Sequence, residues 1–201
     1  MKALIVIDML DDFVHGRLAN PQAKSIVPAL QRLLAHARSA GWLVVFANDA
    51  HEPGDPELRV WGEHAMAGTP GAQVIAELEP IPGDRELVVP KRAYGAFDGT
   101  DLDDQLQRLG VDEVVLAGQH TNICVRHTAY GAFVRGYSIV VPEEVVCAFP
   151  GVNEHEALDY LRSVYGAHVT SLRTLVGGWI AEPTAPLGSE YDTGVVLTHE
   201  P

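Results

Sequence analysis

Cys124 lies in the stretch LAGQHTNICVRHTAYGAF, residues 116 to 133, shortly after a glycine that closes an apolar run and at the start of a helical pattern. Only the thiolate of a cysteine attacks well, and a free thiol is half ionised at about pH 8.5. A helix N-terminus favours the anion through unpaired N–H groups and a partial positive charge. A neighbouring ammonium lowers the thiol pKa further, and a neighbouring carboxylate can take the proton. Lys91 and Asp8 are the residues of those types that apolar runs deliver. Taken alone, Cys124 reads first as a buried apolar cysteine. With Asp8 and Lys91 on the same rim, the nucleophile prevails.

That shared rim follows from the order of elements. KALIVID (2 to 8) is a short, nearly unbroken apolar run, as in a parallel strand covered on both faces. Ile26, Leu30, Leu33, Leu34 and Ala37 repeat at helical spacing, and Gly41 ends the pattern. WLVVFAN (42 to 48), ELVVPK (86 to 91), DEVVLAG (112 to 118), YSIVVP (137 to 142) and AHVTSL (167 to 172) read as further strands. Helices are expected at TPGAQV, with Thr69 as N-cap, around Leu102, Leu106 and Leu109, over 121 to 135, and over 153 to 164. Strand and helix in alternation imply an α/β fold with three layers, a mainly parallel six-stranded sheet and helices on both faces. Residues 1–176 form one domain. The Gly-, Pro- and Thr-rich end, 177–201, reads equally as a tail packing on a neighbouring subunit or as a loose terminus.

In such a sheet ligands bind beyond the carboxyl ends of the strands. Asp8, Asn48, Asp49, Lys91 and Cys124 all stand there. Asp11 and Asp12 in MLDDF serve any surface role, so Asp8 is the inward carboxylate and needs a partner, which Lys91 supplies. Asp49 and His51 sit two apart at a strand exit, and His64 follows in the long loop. Two histidines and a carboxylate suit Zn or Fe with open positions, although Asp-x-His is a short pattern and polar loop residues compete as a reading. Phe13, Trp61, Tyr94 and Phe97 are aromatic wall candidates for a flat ring.

The net charge of -13 argues against a nucleic-acid binder, which would carry a basic stripe, and against docking on anionic membranes. No apolar run approaches the roughly 18 residues of a membrane span. The start, MKALIVIDML, lacks a signal-peptide cleavage site, and two cysteines make no disulfide framework, so a cytoplasmic protein is expected.

ALIVIDMLDDF, VPKRAYGAFDGTDL and LAGQHTNICVRHTAYGAF resemble the isochorismatase-like cysteine hydrolases, within them the nicotinamidase/pyrazinamidase branch. The resemblance runs over about residues 2 to 172 and is most specific at Gly118, Thr121, Cys124, Val125, Thr128 and Ala129. It implies a Rossmann-like hydrolase fold, a triad of Asp8, Lys91 and Cys124, and a cis peptide between Gln119 and His120. It also implies an oxyanion hole from the backbone N–H groups of His120 and Cys124. By the same resemblance Asp49, His51 and His64 hold a divalent metal, zinc first, which seats the pyridine nitrogen of the substrate. The reaction implied is hydrolysis of a small primary amide through a Cys124 thioester with release of ammonia, by a homo-oligomer, dimer or tetramer. Two departures bear on the substrate: Glu52 follows the Asp-x-His pattern where proline is usual, and Asn122 and Ile123 stand where Asp-Tyr is usual, which makes Asn122 a further pocket candidate. The alternatives are an isochorismatase-type hydrolase of a vinyl ether, which needs neither the thiol nor the metal residues, and a non-catalytic binding relative.

Overall fold

Alternate positions of the first strand feed two separate cores. In β1 (Lys2–Ile7), Ala3, Ile5 and Ile7 face one side and Leu4 and Val6 the other. The period of two repeats in β2 (Leu43–Asp49) and β4 (Glu113–Gln119), as a strand between two helical layers requires. β3 (Glu86–Lys91), β5 (Ser138–Pro142), β6 (Val146–Cys147) and β7 (His168–Thr170) complete a sheet whose pairings are all parallel. The strand order is β3-β2-β1-β4-β5-β7, with β6 pairing only with β4. This computed structural model describes residues 1–83 and 85–177. The tail expected at 177–201 lies outside the described residues beyond its first position.

The expectation of six strands is corrected to seven among the described residues. β6 is two residues long, too short for periodicity to reveal, and continues the sheet where β5 has diverged: β5 pairs with residues 113 to 115 of β4, β6 with Gly118 and Gln119. A second correction concerns TPGAQV. It forms a single 3-10 turn, Pro70–Ala72, and the Thr69 hydroxyl donates to the Met66 carbonyl at 2.7 Å instead of capping a helix. The chain then extends, because Val74 bridges antiparallel to Leu10 and Gln73 O accepts from Asp11 N.

α2 (Pro21–Ser39) covers one face with Ile26, Leu30, Leu33 and Leu34, each leucine contributing about 2 kcal/mol by burial. Asn20 caps it, accepting from Gln22 N at 3.0 Å, with Pro21 in the first turn. On the other face lie α4 (Leu102–Arg108), α5 (Cys124–Val134) and α6 (Glu154–Tyr165). Asn153 caps α6 and Gly166, left-handed at φ 65°, stops it. Short helices α1 (Asp11–Val14), α3 (Leu58–Trp61) and α7 (Leu172–Leu175) sit in the connections. No helix among the described residues is long and apolar enough to cross a membrane.

The chain leaves β1 toward β2 and β3, then crosses to β4 on the other side. The strand order therefore reverses between β1 and β4, and a crevice opens beyond their carboxyl ends.

Candidate active site

Asp8 ends β1 in a left-handed conformation, φ 53°, which turns the chain out of the sheet and leaves the carboxylate pointing along the crevice. Its N–H still bonds the Ala47 carbonyl of β2 at 3.1 Å. Asp8 Oδ1 accepts from Asp49 N at 2.8 Å, and Oδ2 makes an ion pair with Lys91 Nζ at 2.8 Å. Lys91 is opposite Asp49 in the parallel register of β3 and β2, and its Nζ reaches Asp49 Oδ1 at 2.5 Å. All three groups are buried. One oxygen each of Asp8 and Asp49 and the sulfur of Cys124 lie within 4.8 Å of one another.

Cys124 arrives by a crossing that only glycine permits. Gly118 has φ 108°, and a Cβ there would sit 2.0 Å from the Ile7 carbonyl oxygen. The Gln119–His120 peptide is cis. Cys124 is the first residue of α5, with no side chain capping that helix, and neither its N–H nor that of His120 has an acceptor among the described residues. Two amide donors, on His120 and on Cys124 itself, are therefore left without an acceptor at this helix start.

The electrostatics are those of a protonated resting thiol. Burial pushes the Cys124 thiol well up, and the pull of Lys91 does not overcome burial plus the two carboxylates. A thiol ionised at rest by the helix and the lysine is thus not what these surroundings favour. Burial, then the Asp49 carboxylate, raises Asp8 to about 6 against Lys91. Lys91 stays charged because two carboxylates outweigh its burial. Asp8 is a carboxylate at neutral pH, within reach of the thiol proton and with enough basicity to hold it.

Beside this cluster lies a second. Asp49, His51, Glu57 and His64, all buried, bring one ligand atom each within 4.8 Å of one another. His51 Nδ1 is 3.2 Å from Asp55 Oδ2, so the ring's other nitrogen, Nε2, faces Asp49 and Glu57 at 3.5 and 3.7 Å. Among the described residues, neither His51 Nε2 nor Glu57 Oε1 has a hydrogen-bond partner. His64 Nδ1 bonds the Gly62 carbonyl at 2.7 Å, so Nε2 is the ring nitrogen left for a ligand among the described residues. Buried orphan lone pairs on His51 and Glu57, with His64 and Asp49 beside them, fit a divalent transition metal of the zinc or iron kind. Asp55 is itself fixed, accepting from Glu52 N at 2.9 Å and from Arg92 Nη2 at 2.5 Å. Arg92 holds the Asp55 carboxyl well below the usual range. This is the outer-shell carboxylate that ligating histidines require. Burial, then Asp49, raises Glu57 to about 7.

A cavity joins the two clusters, lined by Asp8, Asp49, Glu57, His64 and Cys124 at its polar end. Phe13, Trp61 and Tyr94 line its walls, and Trp61 Nε1 donates to the Tyr94 hydroxyl at 3.0 Å. Phe97 and Asn122 do not line it. Phe97 packs in the core against Tyr137 at 5.9 Å, because Ala96 N bonds Thr128 Oγ1 and Gly131 leaves the ring room. Asn122 Oδ1 accepts from Phe149 N at 2.8 Å, behind the wall. Phe149 itself closes the cavity, 5.3 Å from both Trp61 and His120. Sequence reasoning missed Phe149, Glu57 and Asp55. An acid four residues after His51 in a Pro/Gly turn was the available signal for Asp55. Asp12, expected at the surface, is half-buried and accepts from Ala65 N at 2.8 Å.

Among solved structures, the chain is 44% identical to an N-carbamoylsarcosine amidase from Thermoplasma acidophilum, TM-score 0.79, covering 85% of this chain and 96% of that one. It is 34% identical to nicotinamidase PncA from Bacillus subtilis, TM-score 0.80, covering 85% and 99%. A pyrazinamidase of Pyrococcus horikoshii, solved in complex with zinc, is 29% identical with TM-score 0.76, covering 85% and 98%. The Isochorismatase domain matches residues 2–174, from β1 into α7, so every residue of both clusters lies within it and the chain belongs to the isochorismatase family of hydrolases.

Proposed function

We propose that this chain is a cysteine amidohydrolase that cleaves a small, neutral, flat primary amide. The observation that carries the reading is the Cys124 sulfur within 4.8 Å of Asp8 and Asp49 oxygens, with the backbone N–H groups of His120 and Cys124 unbonded among the described residues. Asp8 takes the thiol proton as the sulfur attacks the carbonyl carbon. The N–H groups of His120 and Cys124 receive the developing oxyanion, a contribution of about 3 kcal/mol for such a donor. The C–N bond breaks as Asp8 returns the proton to nitrogen, and ammonia leaves a Cys124 thioester. Asp8 then accepts a proton from water as it attacks, the C–S bond breaks, and the acid product departs with the thiol restored. Lys91 keeps the Asp8 and Asp49 charges compensated throughout.

Asp49, His51, Glu57 and His64 hold a divalent metal in this reading, zinc first, as the zinc complex of the Pyrococcus horikoshii relative suggests. When bound, the metal supplies a Lewis-acid seat for a lone pair of the substrate, such as a ring nitrogen. Phe13, Trp61, Tyr94 and Phe149 suit a planar ring. No lysine or arginine lines the cavity among the described residues, while Asp8, Asp49 and Glu57 do. That composition favours a neutral amide over one carrying a carboxylate. Cys124 and the four ligand groups weigh against vinyl-ether hydrolysis.

Both cysteines are free and buried, in keeping with a reducing, cytoplasmic setting. Tyr130, Phe133 and Val134 expose an apolar strip of α5 that suits a homo-oligomer contact. The test is ammonia release from a panel of small amides, with and without chelator. Turnover by wild type that is lost in Cys124→Ala supports the assignment. Turnover that persists in Cys124→Ala removes the covalent mechanism.

A further inference from the structure

Ala65, next to His64, is held at both ends of its unit of backbone. Its carbonyl accepts from His51 N at 2.9 Å, and its N–H donates to Asp12 Oδ2 at 2.8 Å. It is fully buried and has φ 41°, a conformation a non-glycine residue keeps only where its surroundings fix it. Ala67 N bonds the His51 carbonyl at 2.9 Å, so the turn carrying His64 is strapped to His51 on one side and to α1 on the other.

The α1 side is a fitted seat. A Cβ on Gly71 would lie 2.3 Å from Asp12 Oδ2 and 2.4 Å from its Cγ, and one on Gly16 would lie 2.9 Å from Oδ1. Gly71 has no left-handed backbone to explain it, so the missing side chain serves the carboxylate. Asp12 also precedes Phe13, whose ring is 5.5 Å from the His64 ring, so one short helix carries both the strap and a cavity wall.

We propose that Asp12 is a positioning residue for the metal ligand His64: its carboxylate, seated in the notch left by Gly71, holds the Ala65 N–H and through it the His64 turn against His51. The inference rests on the reading of Asp49, His51, Glu57 and His64 as a metal site and deepens it. Loss of the strap leaves the ligands present but lets His64 drift, which weakens metal binding without removing a ligand.

The probe is cobalt(II), titrated into the metal-free full chain and followed by its visible absorption, so no turnover is needed. Asp12→Ala raises Kd by about tenfold to a hundredfold, as loss of an outer-shell partner does, while Asp12→Asn, which keeps an acceptor oxygen, stays within about threefold of wild type. Gly71→Ala, which drives a methyl into the carboxylate, produces a loss comparable to that of Asp12→Ala. The double variant Asp12→Ala/Gly71→Ala is no weaker than Asp12→Ala, because the clash has gone. If Asp12→Ala gives no folded protein, Gly71→Ala and Asp12→Asn carry the comparison. Wild-type affinity in Asp12→Ala or Gly71→Ala, or losses that add in the double variant, overturns the positioning role. Cobalt binding that His51→Ala and His64→Ala leave unchanged overturns the metal reading itself, and this inference with it.

Discussion

Lys91 and Asp49 stand side by side in the parallel register of β3 and β2, with Nζ 2.5 Å from Oδ1. Because the same ammonium is 2.8 Å from Asp8 Oδ2, Asp49 belongs to both clusters: it compensates the lysine on one oxygen and faces His51 with the other at 3.5 Å. The strand-end pattern suggested a triad and a metal site as separate groups; the buried lysine joins them.

Removing that lysine leaves two buried carboxylates uncompensated. Lys91→Met is expected to destabilise the fold by roughly 3 to 5 kcal/mol, the usual effect of breaking a buried pair from one side. Urea unfolding followed by circular dichroism measures it. A loss under about 1 kcal/mol, the scale of a surface pair, would mean the lysine is far less desolvated than its burial indicates.

Asp8 sets a pH dependence. Its carboxyl is raised to about 6 by burial first, and it must be ionised to take the Cys124 proton. Amide turnover, as kcat/KM, is therefore expected to be level above that pH. Below it the rate falls about tenfold per pH unit as the base protonates. Asp8→Asn abolishes the limb along with most of the rate. A rate that holds steady down to pH 4 would remove Asp8 from the role of base.

How far the sequence discloses this site depends on which residues sit on periodic elements. Asp8, Lys91 and Cys124 end or follow strands of a parallel sheet, and the topology itself brings such ends together. Glu57 and Phe149 come from irregular loops, whose course depends on tertiary bonds such as Glu154 to Ala148 N and Asn122 to Phe149 N. Phe97 illustrates the converse. An aromatic just past a strand end looked like a wall, yet the Ala96–Thr128 bond turns it into the core. β6 was invisible because two residues carry no period.

The two thiols should differ sharply toward alkylation. Cys124 borders the cavity with Asp8 as a base, whereas Cys147 lies in the β6 pairing with β4, contacted by Asn20 Nδ2 at 3.5 Å, and burial raises it to about 12. At pH 7 iodoacetamide is expected to label Cys124 alone in the native protein, because Asp8 can take its proton as the sulfur attacks, read by peptide mass, with Cys147 labelled only in denaturant. Equal native labelling would contradict the placement of the sulfur beside its base.

Asp55 is expected to control metal affinity without touching the metal. It fixes His51 through Nδ1 and is held by Arg92. Asp55→Ala should weaken zinc binding by about 10-fold to 100-fold, measured by competition with a chromophoric chelator. Unchanged affinity would place the tautomer of His51 under some other control.

Gly118 is where the sheet and the site meet most tightly, and it yields the strictest prediction. β4 passes β1 with Gly118 opposite Ile7, one residue before Asp8 and six before Cys124. A methyl there would lie 2.0 Å from Ile7 O and 2.8 Å from Ile7 N, both backbone atoms of a central strand that cannot step aside. Its φ of 108° adds strain for any side chain. Gly118→Ala is expected to cost roughly 4 kcal/mol or more, enough to bring a marginally stable domain near unfolding. Soluble yield and thermal unfolding report it directly. Gly131→Ala is the contrast, because there the added methyl meets the Phe97 ring, a side chain that can shift. If Gly118→Ala unfolds no earlier than Gly131→Ala, the close crossing of β1 and β4 that brings Asp8 to Cys124 is not as drawn.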